Sequence, residues 1–275
     1  MKRIDAHHHL WRYNAEEFDW INDEMRVLRR DFLPEELRSE MAAAHVDGTV
    51  AVQARQSLEE TQWLLTQAAP ASGILGVVGW LPLATPSLAQ HLEEFSTDPL
   101  LKGVRHVVQA EPLGFLDGDA FNRGISLLKN TGLVYDILIF PQQIEEAIRF
   151  VDRHPQQSFV LDHIAKPRIA AGEIDLWSAL IRELALRPHV ACKISGMVTE
   201  ADWVKWTAAQ LQPYFEVVLE AFGPRRLMIG TDWPVLTVTC GYAEWWNTVE
   251  QWIAPLTDNE RRQILGGTAE RVYKL

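Results

Sequence analysis

Cysteine is scarce in this chain. Only Cys192 and Cys240 occur among 275 residues, and no Cys-x-x-Cys spacing exists. That excludes a disulfide framework and a thiolate zinc site. No apolar run approaches the roughly 18 residues of a membrane span, and the first residues lack the apolar core of a signal peptide. No membrane partner is expected, and the expected compartment is the cytoplasm. Positive charge is also in deficit, with 26 Lys and Arg against 37 Asp and Glu, a formal net charge of −11. A phosphate-backbone partner calls for clustered Lys and Arg, so nucleic acid is not an expected partner. The global sign says little about small substrates, because the charge of a local site can oppose it. Internal repeats, low-complexity segments and linkers are missing too, which makes one domain over residues 1–275 the economical organisation.

What is present is a regular alternation. Short apolar runs rich in β-branched residues recur at 3–7, 49–53, 74–80, 103–108, 133–140, 159–163, 190–195 and 227–232. Near-continuous apolarity predicts strands buried on both faces, as in a parallel sheet. Helical patterns fall between them, at 34–45, 58–69, 87–95, 119–130, 142–153, 176–186, 208–222 and 242–253. Pro34 suits a first helical position, and Glu35 and Glu36 suit the positive end of the helix dipole. Asn130-Thr131-Gly132 and His154-Pro155 read as helix stops. The alternation predicts an α/β protein, a (β/α)8 TIM-type barrel, with an open doubly wound sheet as the other architecture that alternates. No Gly-x-Gly-x-x-Gly follows the first strand, which argues against a dinucleotide site. The segment 10–32 is long for a βα loop, and such loops in barrels shape the mouth of the site. Trp11, Tyr13, Phe18, Trp20 and Met25 are expected to pack it down, with Trp11 also facing ligand.

The first strand closes on His7-His8-His9. Successive strand side chains point to opposite faces, so His7 and His9 share one and His8 does not. A His-x-His pair at the C-terminal end of a first strand can hold a metal ion or grip a substrate oxygen. A purification tag would be longer and would not follow a strand signal. Barrel enzymes place their chemistry at the C-terminal strand ends, and polar residues crowd there. They are Gln53 and Arg55, Trp80, Arg105 and His106, Asp136, Asp162 and His163, Lys193 and Ser195, and Asp232-Trp233-Pro234. Arg105 and His106 alternate in facing, and His106 is the one expected inside. Asp136 lies in an apolar strand, where an unpaired carboxylate is costly, so an ion pair with Arg105 or Arg55 competes with a role in the site. Lys166, in a loop, can reach a substrate oxygen. Closure makes the first and last strands neighbours, which brings His7, His9 and Asp232 together, and His163 can join them. That set fits either a mononuclear N/O metal site or a metal-free hydrolytic site.

The residues Ile4-Asp5-x-His7-x-His9-x-Trp11, Arg30-Asp31-Phe32-Leu33-Pro34, Val52-Gln53-Ala54-Arg55 and Val78-Gly79-Trp80 carry a family resemblance. It continues through Gly103-Val104-Arg105-His106, Tyr135-Asp136, Leu161-Asp162-His163-x-x-Lys166-Pro167, Lys193-x-Ser195-Gly196 and Gly230-Thr231-Asp232-Trp233-Pro234. The whole chain resembles the amidohydrolase superfamily, in its amidohydrolase-2 branch. It looks most like the sugar-lactonase group that includes L-fuconolactonases and L-rhamnonolactonases. The His-x-His pair and the terminal Asp are superfamily-wide, and the full set is far more specific. The binuclear members add a bridging Lys or Glu on strand four and a His on strand five. Here Lys102 stands at the start of strand four, and strand five has Asp136.

The resemblance therefore implies one divalent metal, zinc, or none required, held by His7, His9, His163 and Asp232. It implies a small-molecule sugar lactone as partner, acted on by a monomer or homodimer. Asp232 would be the general base, with His163 and His106 assisting. Trp11, Arg55, Trp80, Arg105, Asp136, Lys166 and Trp233 would line the substrate. The competing readings are an anionic lactone of the pyrone-dicarboxylate type, metal-dependent decarboxylation, and a non-catalytic sugar-binding barrel.

Overall fold

Strands without a polar face must be covered on both sides, and the chain meets that demand by closing its sheet. In the computed structural model, which describes residues 2–69 and 71–275, all strands join one parallel sheet in sequence order. They are β1 (Ile4–His8), β2 (Gly48–Val52), β3 (Ile74–Gly79), β4 (Leu101–His106), β5 (Val134–Ile137), β6 (Phe159–Leu161), β7 (Val190–Ile194) and β8 (Leu227–Ile229). The helices α1 (Pro34–Ala43), α2 (Leu58–Gln67), α3 (Leu88–Phe95), α4 (Asp119–Leu128), α5 (Ile144–Arg153), α6 (Asp175–Ala185), α7 (Ala208–Phe222) and α8 (Tyr242–Ile253) follow the strands in turn. Local signals set several boundaries. Pro34 opens α1, and the side chains of Ser57 and Thr207 accept from the backbone N–H groups of Glu60 and Gln210 at the starts of α2 and α7. The architecture is the expected (β/α)8 barrel.

The seam between β8 and β1 is closed by residues beyond the formal end of β8. Asp232 N donates to the His7 carbonyl (2.8 Å), His9 N donates to the Trp233 carbonyl (2.6 Å), and His8 and Trp233 form a parallel bridge. The segments His7–His9 and Asp232–Trp233 are thus held to each other by backbone bonds. Inside the barrel, Ile4, Ala6, Val50, Val52, Val78, Val134, Val160, Ala191 and Met228 form a small inner core. A much larger core fills the space between sheet and helices. A terminal helix, Thr268–Tyr273, was not marked by the sequence pattern and plugs the other end of the barrel: Tyr273 joins the inner core. Among the described residues, no helix is long and apolar enough to cross a membrane.

The segment after β1 packs down as expected, through buried Trp11, Phe18, Ile21, Leu28 and Phe32. Trp11 and Phe32 exchange backbone hydrogen bonds across it. Trp20 is the exception to the expected packing. It is 39% exposed and stands edge-on to Trp11.

Candidate active site

His7, His9 and Asp232 converge at the C-terminal mouth of the barrel, and a β-bulge places the first of them. The register between β1 and β2 shifts between Asp5 and His8. Ala6 packs in the inner core, yet the ring of His7 also reaches the barrel interior, beside Asp162 and Lys193. Two consecutive inward residues are what one extra residue in a strand permits. Asp5, on the outer side, accepts from His7 N (3.0 Å), Thr231 N (2.9 Å) and the Thr231 hydroxyl (2.6 Å), tying the β1 end to the β8 end. His8 faces away from the site, and burial pushes its imidazole down to about 3. The sharing of one face by His7 and His9 follows the expected alternation.

The three donors enclose a cation-sized space. His7 Nε2 and His9 Nε2 lie 3.2 Å apart, Asp232 Oδ1 lies 3.2 Å from His9 Nε2, and it lies 3.6 Å from His7 Nε2. Ligands at 2.0–2.2 Å around a tetrahedral ion are separated by about 3.3–3.5 Å, so the geometry fits one divalent metal. The second shell agrees. His9 Nδ1 lies 2.8 Å from the Val52 carbonyl and donates to it, which turns Nε2 toward the other two. Burial is the main reason that His163 is held down at about 4, and burial together with Lys193 holds His7 well below its usual value. For Asp232, burial works to raise the carboxyl, but His163, His9 and His7 together hold it well below the usual carboxylate range. The site gathers a carboxylate and imidazole nitrogens, the donor set of an N/O metal site.

His163 stands beside this cluster, its ring centroid 4.4 Å from that of His7 and its Nδ1 2.9 Å from the Ser195 hydroxyl. It arrives there by an unusual turn. His163, Ile164, Ala165 and Lys166 all have left-handed backbone, with φ of 52°, 48°, 60° and 48°. For residues with a Cβ this costs roughly 1–2 kcal/mol each, and such strain gathers where function demands a particular aim. The Trp177 indole donates to the Ile164 carbonyl and helps hold the turn. Asp232 also sits at positive φ, 61°. Gly196, at φ 62°, leaves room for His163. A Cβ there would lie 2.6 Å from His163 Nδ1. Gly196→Ala should therefore lower stability by about 2 kcal/mol and kcat/KM by at least tenfold, because it adds overpacking and a disfavoured backbone at the ring. Thermal melts and steady-state kinetics on the same preparation test it.

Several candidates stand elsewhere than expected. Arg105, not His106, enters the barrel. Its guanidinium donates to Asp162 Oδ2 (3.0 Å), to Gln53 Oε1 (3.1 Å) and to the Gln53 carbonyl, and its Nη1 lies 3.4 Å from His7 Nε2. Buried Asp162 supplies the counter-charge that draws Arg105 inside. His106 lies at the rim, with Nε2 2.8 Å from Glu111, its ring stacked on Phe115 and the Trp80 indole donating to its Nδ1 (3.4 Å). Asp136 pairs with Lys193 (2.5 Å) and accepts from Tyr273 (2.9 and 2.8 Å), rather than meeting Arg105 or Arg55. It is fully buried beneath the mouth. Trp11 and Trp233 are each 1% exposed: Trp11 donates to the Arg30 carbonyl, and Trp233 packs edge-on against Phe32.

At the rim, Arg55 pairs with Glu17 (2.6 Å), and Lys166 lies 3.8 Å from Glu200. Glu200 carried no signal in the sequence, since it lies in a loop without pattern. Burial raises its carboxyl despite Lys166. Asp162 was within reach of the sequence reading, because it adjoins His163 in a recognisable motif.

A closed parallel barrel with a His-x-His pair on its first strand and an aspartate after its last defines a barrel with a metal-type N/O site at its mouth. The amidohydrolase family model matches residues 4–275, and the chain belongs to that family. It is 41% identical to an L-fucono-1,5-lactonase of Burkholderia multivorans, over 99% of this chain and 96% of that protein. It is 32% identical to an L-fucono-1,5-lactonase of Burkholderia ambifaria, with the same shares covered. A crystal structure of an amidohydrolase from Burkholderia multivorans with bound zinc superposes with a TM-score of 0.96, at 41% identity, over 100% of each chain.

Proposed function

We propose that this protein hydrolyses a neutral sugar lactone to the aldonic acid, with Asp232 as general base. The observation that carries the choice of substrate class is the pairing at the rim. Arg55 has Glu17 and Lys166 has Glu200, and His106, whose imidazole burial lowers, has Glu111, so none of these three offers an unpaired positive charge. A dicarboxylate substrate would need unpaired cations, whereas alternating donors and acceptors suit a ring bearing several hydroxyls. The names of the lactonase relatives point the same way. The half-buried face of Trp80, beside His106, suits the apolar side of a sugar ring.

A water molecule attacks the lactone carbonyl carbon while Asp232 Oδ2 takes its proton, Oδ1 being turned toward His7 and His9. His7, His9 and Asp232 would hold one divalent ion, zinc by its nitrogen and oxygen ligands, and such an ion supplies Lewis acidity toward the carbonyl. His163, held by Ser195, orients the carbonyl oxygen as negative charge grows there. The ester C–O bond then breaks, and protonated Asp232 returns its proton to the departing ring oxygen. One water is consumed and one carboxylic acid is formed.

The test is a panel of 1,5- and 1,4-aldonolactones and a pyrone dicarboxylate, followed with a pH indicator. Turnover of a neutral aldonolactone is expected. Turnover of the dicarboxylate alone would overturn the substrate class. On the best lactone, Lys166→Met or Glu200→Gln should raise KM about tenfold with a smaller change in kcat, the loss expected for a hydrogen bond to a charged group.

A further inference from the structure

Among the described residues, two groups of side chains have metal-ligating spacing, and they share His7. One is His7, His9 and Asp232, and the other is His7, Asp162 and His163. In outline that is a two-ion site. The second group, however, already has cations in it. The Lys193 ammonium lies 2.9 Å from Asp162 Oδ1, 3.2 Å from His7 Nδ1 and 2.5 Å from Asp136 Oδ2. The Arg105 guanidinium lies 3.0 Å from Asp162 Oδ2. Both are buried, with Lys193 at 0% and Arg105 at 3% exposure, so neither charge is screened by solvent.

We infer that Arg105 and Lys193 are the chain's own replacement for a second metal ion, and that Arg105 also weakens the binding of the first. The competition is over the single lone pair of His7, which stands on Nε2 when Nδ1–H is turned to Asp162 Oδ1 (3.4 Å). Arg105 Nη1 lies 3.4 Å from His7 Nε2, on the atom that must face an ion held by His9 and Asp232. An incoming divalent ion displaces that contact and places its charge beside a fixed guanidinium. Charge counting agrees. Asp136, Asp162 and Asp232 supply three negative charges, and Arg105 and Lys193 supply two positive ones. Those charges sum to −1, one divalent ion takes the sum to +1, and a second would take it to +3. A second ion would leave a buried excess of positive charge, which a low-dielectric interior does not tolerate.

This inference rests on the geometry of the ligand groups and not on the lactone reading, and its test needs no substrate. Metal-free protein is titrated with zinc against a chromophoric chelator, and the bound metal is counted by elemental analysis. The wild type should bind one ion per chain at saturation. Arg105→Gln should bind that ion at least tenfold more tightly, and Arg105→Lys should stay near the wild type. Arg105→Met is a second neutral replacement should the Gln variant fail to fold, as judged by circular dichroism. Two ions per wild-type chain would overturn the assignment of Lys193 and Arg105. A folded neutral variant with unchanged or weaker zinc affinity would overturn the competition at His7.

Discussion

Asp232→Asn should reduce kcat on the best lactone by about 10²–10⁴-fold, the usual cost of removing a general base. Asn is nearly isosteric and keeps one oxygen toward His7 and His9, but its amide cannot take a proton from water. The backbone at this position is already left-handed, a conformation Asn accepts readily, so the fold should survive. KM should change much less, since the rim pairs grip the ring hydroxyls. Steady-state kinetics with a melting curve as control distinguish the cases. Near-normal kcat in the variant would remove Asp232 as the base. If the intact protein turned over no lactone at all, the decarboxylase or binding-barrel reading would take its place.

Lys193→Met carries the largest expected loss of stability, about 3–5 kcal/mol, because it leaves buried Asp136 without its cation and Asp162 with Arg105 alone. Lys193 is fully buried between Asp136 (2.5 Å) and Asp162 (2.9 Å). The loss should depend on pH. Burial raises Asp136 to about 6 even with Lys193 beside it, and removing the ammonium raises it further. A carboxyl whose folded value lies above its unfolded value holds its proton more tightly in the folded state. Its contribution is present at low pH and is lost as pH rises through the folded value. The gap between the variant and the wild type should therefore widen from pH 6 to pH 8 in urea denaturation. A gap that stays flat over that range would mean that Asp136 is not the group left exposed. Tyr273→Phe, which removes only the hydroxyl donating to Asp136, should cost about 1–2 kcal/mol by the same measurement.

The strand and helix alternation was legible because both faces of each strand are buried, so apolar runs repeat regardless of detail. Helices α7 and α8 begin and end where the pattern places them, at Ala208–Phe222 and Tyr242–Ile253. The predicted last strand, 227–232, is regular only to Ile229, because the next residues turn to aim Asp232. The terminal helix Thr268–Tyr273 escaped notice because it is only six residues long and its value lies in one contact, Tyr273 with Asp136. Which of Arg105 and His106 faces inward could not be read from alternation alone. The buried partner Asp162 lies 57 positions away, and only folding brings it within 3.0 Å.

By itself the sequence determined the architecture and which residues meet at its centre. An eightfold parallel alternation closes, and closure makes neighbours of His7, His9 and Asp232, since strand order follows chain order. Tertiary structure decided the charge pattern around them. The bulge at β1 brings His7 inside, four left-handed residues aim His163, and Lys193 rather than an arginine answers Asp136. The physical reason is range. Apolar periodicity is a local property that each segment carries with it, whereas a buried charge is placed by whichever opposite charge the folded barrel sets against it.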